Sequence, residues 1–466
     1  MDLKWKEVRQ LEIKVNFDKK IGKIKAMHGV GQPPVDGLDN FMFHYLKEAG
    51  IPYSRLHDVG GEFGSNLFVD IPNIFRDFDA DENDENSYDF PFTDWLIAEL
   101  YKNGVKPIFR LGVTIENYHY IRAYRIFPPK DPAKWARVCE HIIKHYNEGW
   151  ANGFRYGIEY WEIWNEPDNG RDDTENQMWH GTPGQFYELY AVTAKHLKSV
   201  FGDKIKVGGY ATCGFRHIFS DPEKYGIDHE KLDDPVYADD RSHNFLRFFE
   251  GFFAYIKEQN APIDFFSWHS YLTTDRTVLA AKYLDRRLNE LGYGDLETQL
   301  NEWNNVTEDR SNPLEIEEQA KREYGKGIAA AKAASMMCAM HKTKTKLLCY
   351  YDAGIRVSYY AAMFDPRERA PFPIYYAFVA FNELYKLENE AECSFEAGNG
   401  IYALAASNGG KNAVLIANTS GAEMPVTTNI PDGMRVYLVD DTKKLDKTDL
   451  NPKEFIMPKD SVILME

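Results

Sequence analysis

Cysteine is scarce in this chain: five residues in 466, namely Cys139, Cys213, Cys338, Cys349 and Cys393. None stands in a CxxC pair or at ligand spacing to a histidine, which argues against a zinc site and against a disulfide framework. The odd count leaves at least one free thiol or an intermolecular bond. Long apolar runs are missing too, and nothing approaches the ~18 residues that span a bilayer. Basic charge is in deficit: 55 Lys and Arg face 72 Asp and Glu, for a net charge of −17. Such a surface repels nucleic acid and anionic membrane, so neither is expected as a partner, and it also serves solubility. The N-terminus MDLKWKEVRQ lacks the apolar centre of a secretion signal, although Met1 is compatible with a leader already removed. A soluble protein is expected, with cytoplasmic and exported destinations both open. Internal repeats and low-complexity linkers are absent.

What is present reads as an ordinary globular chain, 44% hydrophobic and 27% charged. Its length exceeds what one core supports, so a large domain with a smaller companion is expected. Aromatic residues reach 14%. Most will be core, but such rings also pack on the C–H faces of pyranoses. Short β-rich runs alternate with longer helical stretches. The predicted strands are 24–29, 51–59, 106–112, 158–164, 204–209, 263–270, 296–301 and 346–352, with helices such as 133–147, 184–201 and 328–341 between them. Eight strand–helix units predict a (β/α)₈ barrel with its active site at the C-terminal strand ends. Segments 400–406, 412–418, 424–430, 434–440 and 461–465 are short alternating strands with turn signals, and 8–17 reads as another strand. The expected layout is therefore residues 1–20 and 389–466 in a β-sandwich, flanking a barrel over 21–388. The acidic stretch Asp77–Asp89 lacks the glycine and glutamate that an EF-hand loop requires, and reads as a solvated loop.

Chemistry concentrates at two strand ends. Trp161-Glu162-Ile163-Trp164-Asn165-Glu166-Pro167 closes the fourth strand and Asn301-Glu302-Trp303-Asn304 the seventh. Glycoside hydrolysis needs two carboxylates flanking the scissile bond, and strands four and seven lie across a barrel mouth from each other. Glu166 is expected as acid/base, held protonated by partial burial or by the charge of Glu302. Glu302 is expected as an ionised nucleophile surrounded by donors. Strand parity puts His269 with Tyr271 on one face and Arg55 with His57 on another. If these faces point inward, Tyr271 and Arg55 hold Glu302. Glu162, deeper along its strand, is expected to be structural. Trp164 and Trp303 are balanced between pocket wall and core.

These motifs resemble clan A of the glycoside hydrolases, and within it family 39, whose best-known members are β-xylosidases. The resemblance rests on Asn165-Glu166 and Glu302, on Tyr53 to Asp58, on Asn103 to Gly112, on Val207-Gly208-Gly209, on Asp264 to Tyr271, and on Pro373 to Phe378. It spans most of residues 24–390 and implies the barrel-plus-sandwich plan, a retaining mechanism and no cofactor or metal. It implies a glycan substrate, with Asn165 on the sugar's 2-hydroxyl. Two other classes share such barrels: a catalytically silent glycan binder, and a metal-dependent sugar isomerase or lyase, which needs an inward Glu, Asp and His cluster.

Strand eight departs from the family. Members carry an aromatic, usually Trp, and then acidic residues that bind xylose hydroxyls. Here the stretch is Leu347 to Arg356, with Tyr350 or Tyr351 for the ring and a cation at Arg356. Tyr351 and Arg356 are therefore expected to contact a sugar other than plain xylose, such as an arabinoside, a galactoside or a uronic-acid-containing glycan.

Overall fold

The computed structural model describes residues 10–36, 40–59, 69–115, 126–170, 176–228, 240–304, 314, 318–319, 322–355, 360, 363–396, 398 and 400–466. Eight parallel strands close into a barrel: Ala26–Gly31, Tyr53–Leu56, Lys106–Leu111, Tyr160–Ile163, Lys206–Thr212, Phe265–Ser270, Glu297–Trp303 and Leu347–Tyr350. Each neighbours the next in sequence, and the eighth pairs with the first. The (β/α)₈ barrel read from the sequence is present. Its strands are mostly shorter than the apolar runs suggested, because those runs also include the turn residues that enter and leave the sheet.

The crossover helices carry their own start and stop signals. Pro132–Asn147 begins on Asp131, whose carboxylate accepts the amides of Ala133 and Lys134, with proline in the first turn. Pro183–Phe201 opens on a capping box between Thr182 and Gln185 and buries Phe186, Leu189, Tyr190, Ala194 and Leu197 on one stripe. Thr274–Leu291 ends on Gly292 in the left-handed conformation. Gly327–His341 differs: it is rich in Ala and Met and buried nearly all round. Such a helix needs cover on both sides, which the barrel and a second sheet supply. Among the described residues, no helix is long and apolar enough to cross a membrane.

That second sheet has nine strands drawn from both chain ends. Leu11–Lys23 pairs antiparallel with Asn389–Phe395 and parallel with Met424–Thr428. Its central strands are buried on both faces. Leu404, Ala406, Ala413, Leu415, Val462 and Leu464 join the barrel's helical layer. Ala403, Ala405, Val414, Ile416 and Ile463 face the sheet's own core, with Leu11, Ile13, Val15 and Phe455. Period-two alternation in these strands therefore separates two apolar environments rather than core from water.

Inside the barrel the side chains change character with height. An apolar layer of Ile108, Tyr160, Phe265, Leu347 and Cys349 seals the lower interior, with Ala26 and Tyr53 packed against it. Two residues further along three of these strands stand Arg55, Arg110 and Glu162, all buried. The strand period of two thus carries a charged layer directly onto the apolar one, facing the mouth.

Candidate active site

Arg55 organises the charged layer. Its Nε donates to Glu162 Oε2 at 2.8 Å, Nη1 to Glu302 Oε2 at 3.0 Å and Nη2 to Asn165 Oδ1 at 2.5 Å. Burial alone would lower its pKa, but the carboxylates of Glu162 and Glu302 outweigh that and raise it above the ordinary value. Glu162 takes a second donor from Asn301 Nδ2 at 2.5 Å. Removing one partner from a buried charge network of this kind costs roughly 3–5 kcal/mol. Glu162 and Arg55 therefore support the fold while aiming their neighbours.

The two glutamates at the strand ends face one another across His269. Its Nδ1 lies 2.7 Å from Glu166 Oε1 and 3.6 Å from Glu302 Oε1. Tyr271 donates its hydroxyl to Glu302 Oε1 at 2.5 Å. Glu302 therefore has a donor on each oxygen, one of them a guanidinium, which suits an ionised carboxylate. Glu166 receives Asn169 Nδ2 on its other oxygen at 2.6 Å. Oxygen atoms of the two glutamates and a nitrogen of His269 all lie within 4.8 Å of one another. Three such ligands could in principle hold a cation. Here Arg55 and Tyr271 already donate to both oxygens of Glu302, a donor set that competes with a metal rather than inviting one.

Local backbone geometry sets these positions. Glu166 has φ +45°, Trp164 +71°, Asp58 +53° and Gln32 +47°, all non-glycine residues at strand ends around the mouth. Strained backbone of this kind persists where surrounding contacts over-determine it, and it re-aims side chains that regular strands would send elsewhere. In the seventh strand a register shift separates Leu300 from Glu302 against strand six, and Leu300 from Trp303 against strand eight. The bulge frees consecutive residues from strict alternation, so Asn301 reaches Glu162 and Glu302 reaches Arg55 and Tyr271.

The other residues singled out from the sequence fall as follows. Asn165 is buried, and its carbonyl is held by Arg55. His57 Nε2 lies 3.2 Å from Asp58 Oδ1. Tyr351 donates to Asp58 Oδ2 at 3.1 Å and accepts from Gln32 Nε2 at 2.8 Å, which links strand ends one, two and eight. Trp303 is turned into the core, fully buried, with its ring edge-on to Tyr350 at 5.1 Å. Trp164 is likewise buried, its indole donating to the Met178 carbonyl. Arg356 lies outside the described residues. Sequence reasoning missed Asn169, Asn301, Gln32 and Asp58. Parity hid Asn301, and the others sit in turns whose conformation no local pattern announces.

Asp168 adds a buried carboxyl beside the site. Thr212 Oγ1 donates to it at 2.5 Å and the Cys213 amide at 3.2 Å, yet burial first, and the charge of Glu166 after it, push its pKa up to about 7. The folded protein thus holds a proton that the unfolded chain releases near pH 4. The resulting stability is complete below pH 4, declines as pH rises and is gone above about 7. Melting temperature should fall between pH 5 and pH 8 more steeply in the wild type than in Asp168→Asn. Parallel curves for the two proteins would contradict this.

An eight-stranded parallel barrel with two glutamates from its fourth and seventh strands converging at the C-terminal mouth, beside a nine-stranded sheet, defines the class as a (β/α)₈ barrel with a carboxylate pair at its mouth. The chain belongs to family 39 of the glycosyl hydrolases, whose model matches residues 38–319, more than half of its length. A β-xylosidase of Geobacillus stearothermophilus is 26% identical over 221 residues, a match taking in 45% of this chain and 35% of that one. The chain thus spans about a third of the length of the curated relative it matches. Among solved structures, a glucosidase from Croceicoccus marinus superposes with TM-score 0.73 at 21% identity, covering 98% of both chains. A family 39 β-xylosidase from Caulobacter crescentus gives 0.66 at 16% identity, covering 97% of this chain and 99% of that one. At these identities the likeness is one of fold.

Proposed function

We propose that this protein is a retaining glycoside hydrolase working by double displacement, with Glu302 as nucleophile and Glu166 as acid/base. The observation that carries the reading is the spacing of the pair. One oxygen of Glu166 and one of Glu302 lie within 4.8 Å of each other. This atom-to-atom approach favours the close carboxyl pair of retaining enzymes, ~5–5.5 Å, over the about 6.5–9.5 Å that inverting ones leave for a water molecule. The charge environment agrees: Glu302 sits under two donors, one of them Arg55.

In the first step a Glu302 oxygen attacks the anomeric carbon as its bond to the leaving oxygen breaks, and Glu166 gives that oxygen its proton. In the second, Glu166 as carboxylate takes a proton from water, the water oxygen attacks the anomeric carbon, and the bond to Glu302 breaks. Asn165, with its carbonyl held by Arg55, is left to donate Nδ2 to the sugar's 2-hydroxyl. The substrate we favour is a β-xyloside or a close relative bearing a different −1 sugar. The β-xylosidase among the relatives supports the first half of that statement. Tyr351 tied to Asp58 and Gln32, together with Arg356 in place of an acidic pair, supports the second.

The test is stereochemical. Aryl β-glycosides, beginning with the xyloside, are hydrolysed in an NMR tube and the first anomer released is read. The β anomer is expected. First release of the α anomer would mean inversion and overturn the proposal.

A further inference from the structure

Asn169, three residues past Glu166, occupies the loop that leaves the fourth strand. It is buried, its amide N–H bonds the Glu166 carbonyl at 3.0 Å, and its side-chain Nδ2 donates to Glu166 Oε2 at 2.6 Å. Its Oδ1 is engaged by Nη1 of Arg241 at 3.2 Å. Arg241 stands at the start of the helix Asp240–Glu258, with its guanidinium carbon 5.9 Å from the centre of the Phe245 ring. Its Nε is buried without a hydrogen-bond partner, and no carboxylate among the described residues pairs with it. Asn244, from the same helix, donates to the carbonyls of Asp168 and Gly170 and ties the loop down.

A side-chain amide can turn over, presenting either an acceptor or a donor. Arginine cannot: it offers only donors at any working pH. The atom of Asn169 facing Arg241 is therefore the carbonyl, and the atom facing Glu166 is the NH₂. We propose that Arg241 locks the Asn169 amide so that it gives Glu166 a permanent donor, making this pair a positioning device for the acid/base. This rests on the reading of Glu166 as acid/base.

Two chemical consequences follow. A donor on Oε2 disfavours a proton there and directs the acid's proton to Oε1, the oxygen beside His269. The donor also favours the ionised form and offsets the repulsion between the two carboxylates. The charged and titratable groups around Glu166 are His269 and Tyr271 from strand six, Glu302 from strand seven and Arg55 from strand two. Among the described residues, Asp168 from its own loop, Cys213 from the end of strand five, which hydrogen-bonds Glu166, and Arg241 from the helix join them. Asn169 conveys Arg241 to the carboxylate by hydrogen bonds.

The test is the pH profile of kcat/KM on a phenyl glycoside whose poor leaving group needs the acid. Its alkaline limb reports ionisation of that acid in the free enzyme. Removing a donor from the ionised form raises the acid's pKa, so the limb should move to higher pH, by roughly one unit for a bond to a charged group. Asn169→Ala and Arg241→Met should both show it. Arg241→Lys, which keeps a donor for Oδ1, should return most of the shift. The displacement should survive in an Asp168→Asn background, which separates it from titration of Asp168. On a dinitrophenyl glycoside, where departure needs no acid, the same variants should leave kcat/KM nearly level. Should the buried Asn169→Ala fail to fold, the two Arg241 variants at a half-buried position carry the test. A limb that stays in place or moves down in folded Arg241→Met overturns the inference, as does an equal shift in Arg241→Lys. Retained activity in Glu302→Ala would instead overturn the reading of the pair, so the two failures are distinguishable.

Discussion

Glu302→Ala should lower kcat/KM by at least about 10⁴-fold on every aryl β-glycoside the wild type accepts, since removing a covalent nucleophile leaves no route to the first step. The size of the loss alone does not identify a nucleophile, because deleting any carboxylate beneath Arg55 also leaves that buried cation short of a partner. The deciding observation is chemical rescue. With alanine at this position, azide can enter the vacated space and attack the anomeric carbon once. The product should be a glycosyl azide of inverted configuration, because one displacement has replaced two. A product of retained configuration, or no rescue from a folded variant, would remove Glu302 from the nucleophile's role. Arg55 and Tyr271 remain in the variant, so the site keeps the donors that stabilise charge developing on an incoming anion.

Glu166→Ala should separate substrates by leaving group. With a phenol that departs poorly, the missing proton should cost about 10²–10⁴-fold in kcat/KM, the usual worth of positioned general acid catalysis. With a dinitrophenol, which leaves without help, the first step should fall by less than about tenfold. The base is also gone, so the second step becomes slow and glycosyl-enzyme should accumulate as a burst of phenol. Azide should then restore turnover with retained configuration, the opposite outcome from Glu302→Ala. Equal losses on both substrates would place Glu166 outside the proton-transfer role. The two rescue stereochemistries form a pair, and a structural role for either glutamate reproduces neither.

The eight strand-forming runs, the helices between them and the β-rich ends are legible because each rests on local chemistry. Apolar periodicity, proline and Asp or Thr at helix starts, and glycine at a helix end are all written within a few residues. The glutamates at 166 and 302 are legible for a related reason: barrel closure brings the ends of strands four and seven to one mouth whatever the intervening loops do. Arg55 with Glu302, and Tyr271 with Glu302, follow from parity along strands two and six.

Parity fails in strand seven. The bulge near Leu300 lets consecutive Asn301 and Glu302 both meet the charged layer, and it leaves Trp303 beside Tyr350 in the core. A one-residue register shift has no signature in a single chain, because it is decided by pairing with the strands on either side. The contact between Asn169 and Arg241 spans 72 residues and exists only because the helix after strand five packs its first turn over the loop after strand four. The strand-eight tyrosine was visible as a departure from the family, but its partners Asp58 and Gln32 come from strands two and one.

By itself, then, the sequence determined which residue types could do the chemistry and which strand ends would carry them, since both depend on short-range pattern. The tertiary structure alone decided how far apart the two carboxylates stand, which oxygen of each is already taken, and how the Asn169 amide faces. Those are distances and directions between strand ends brought together by barrel closure, set by bulges, strained turns and helix packing that no local stretch of residues encodes.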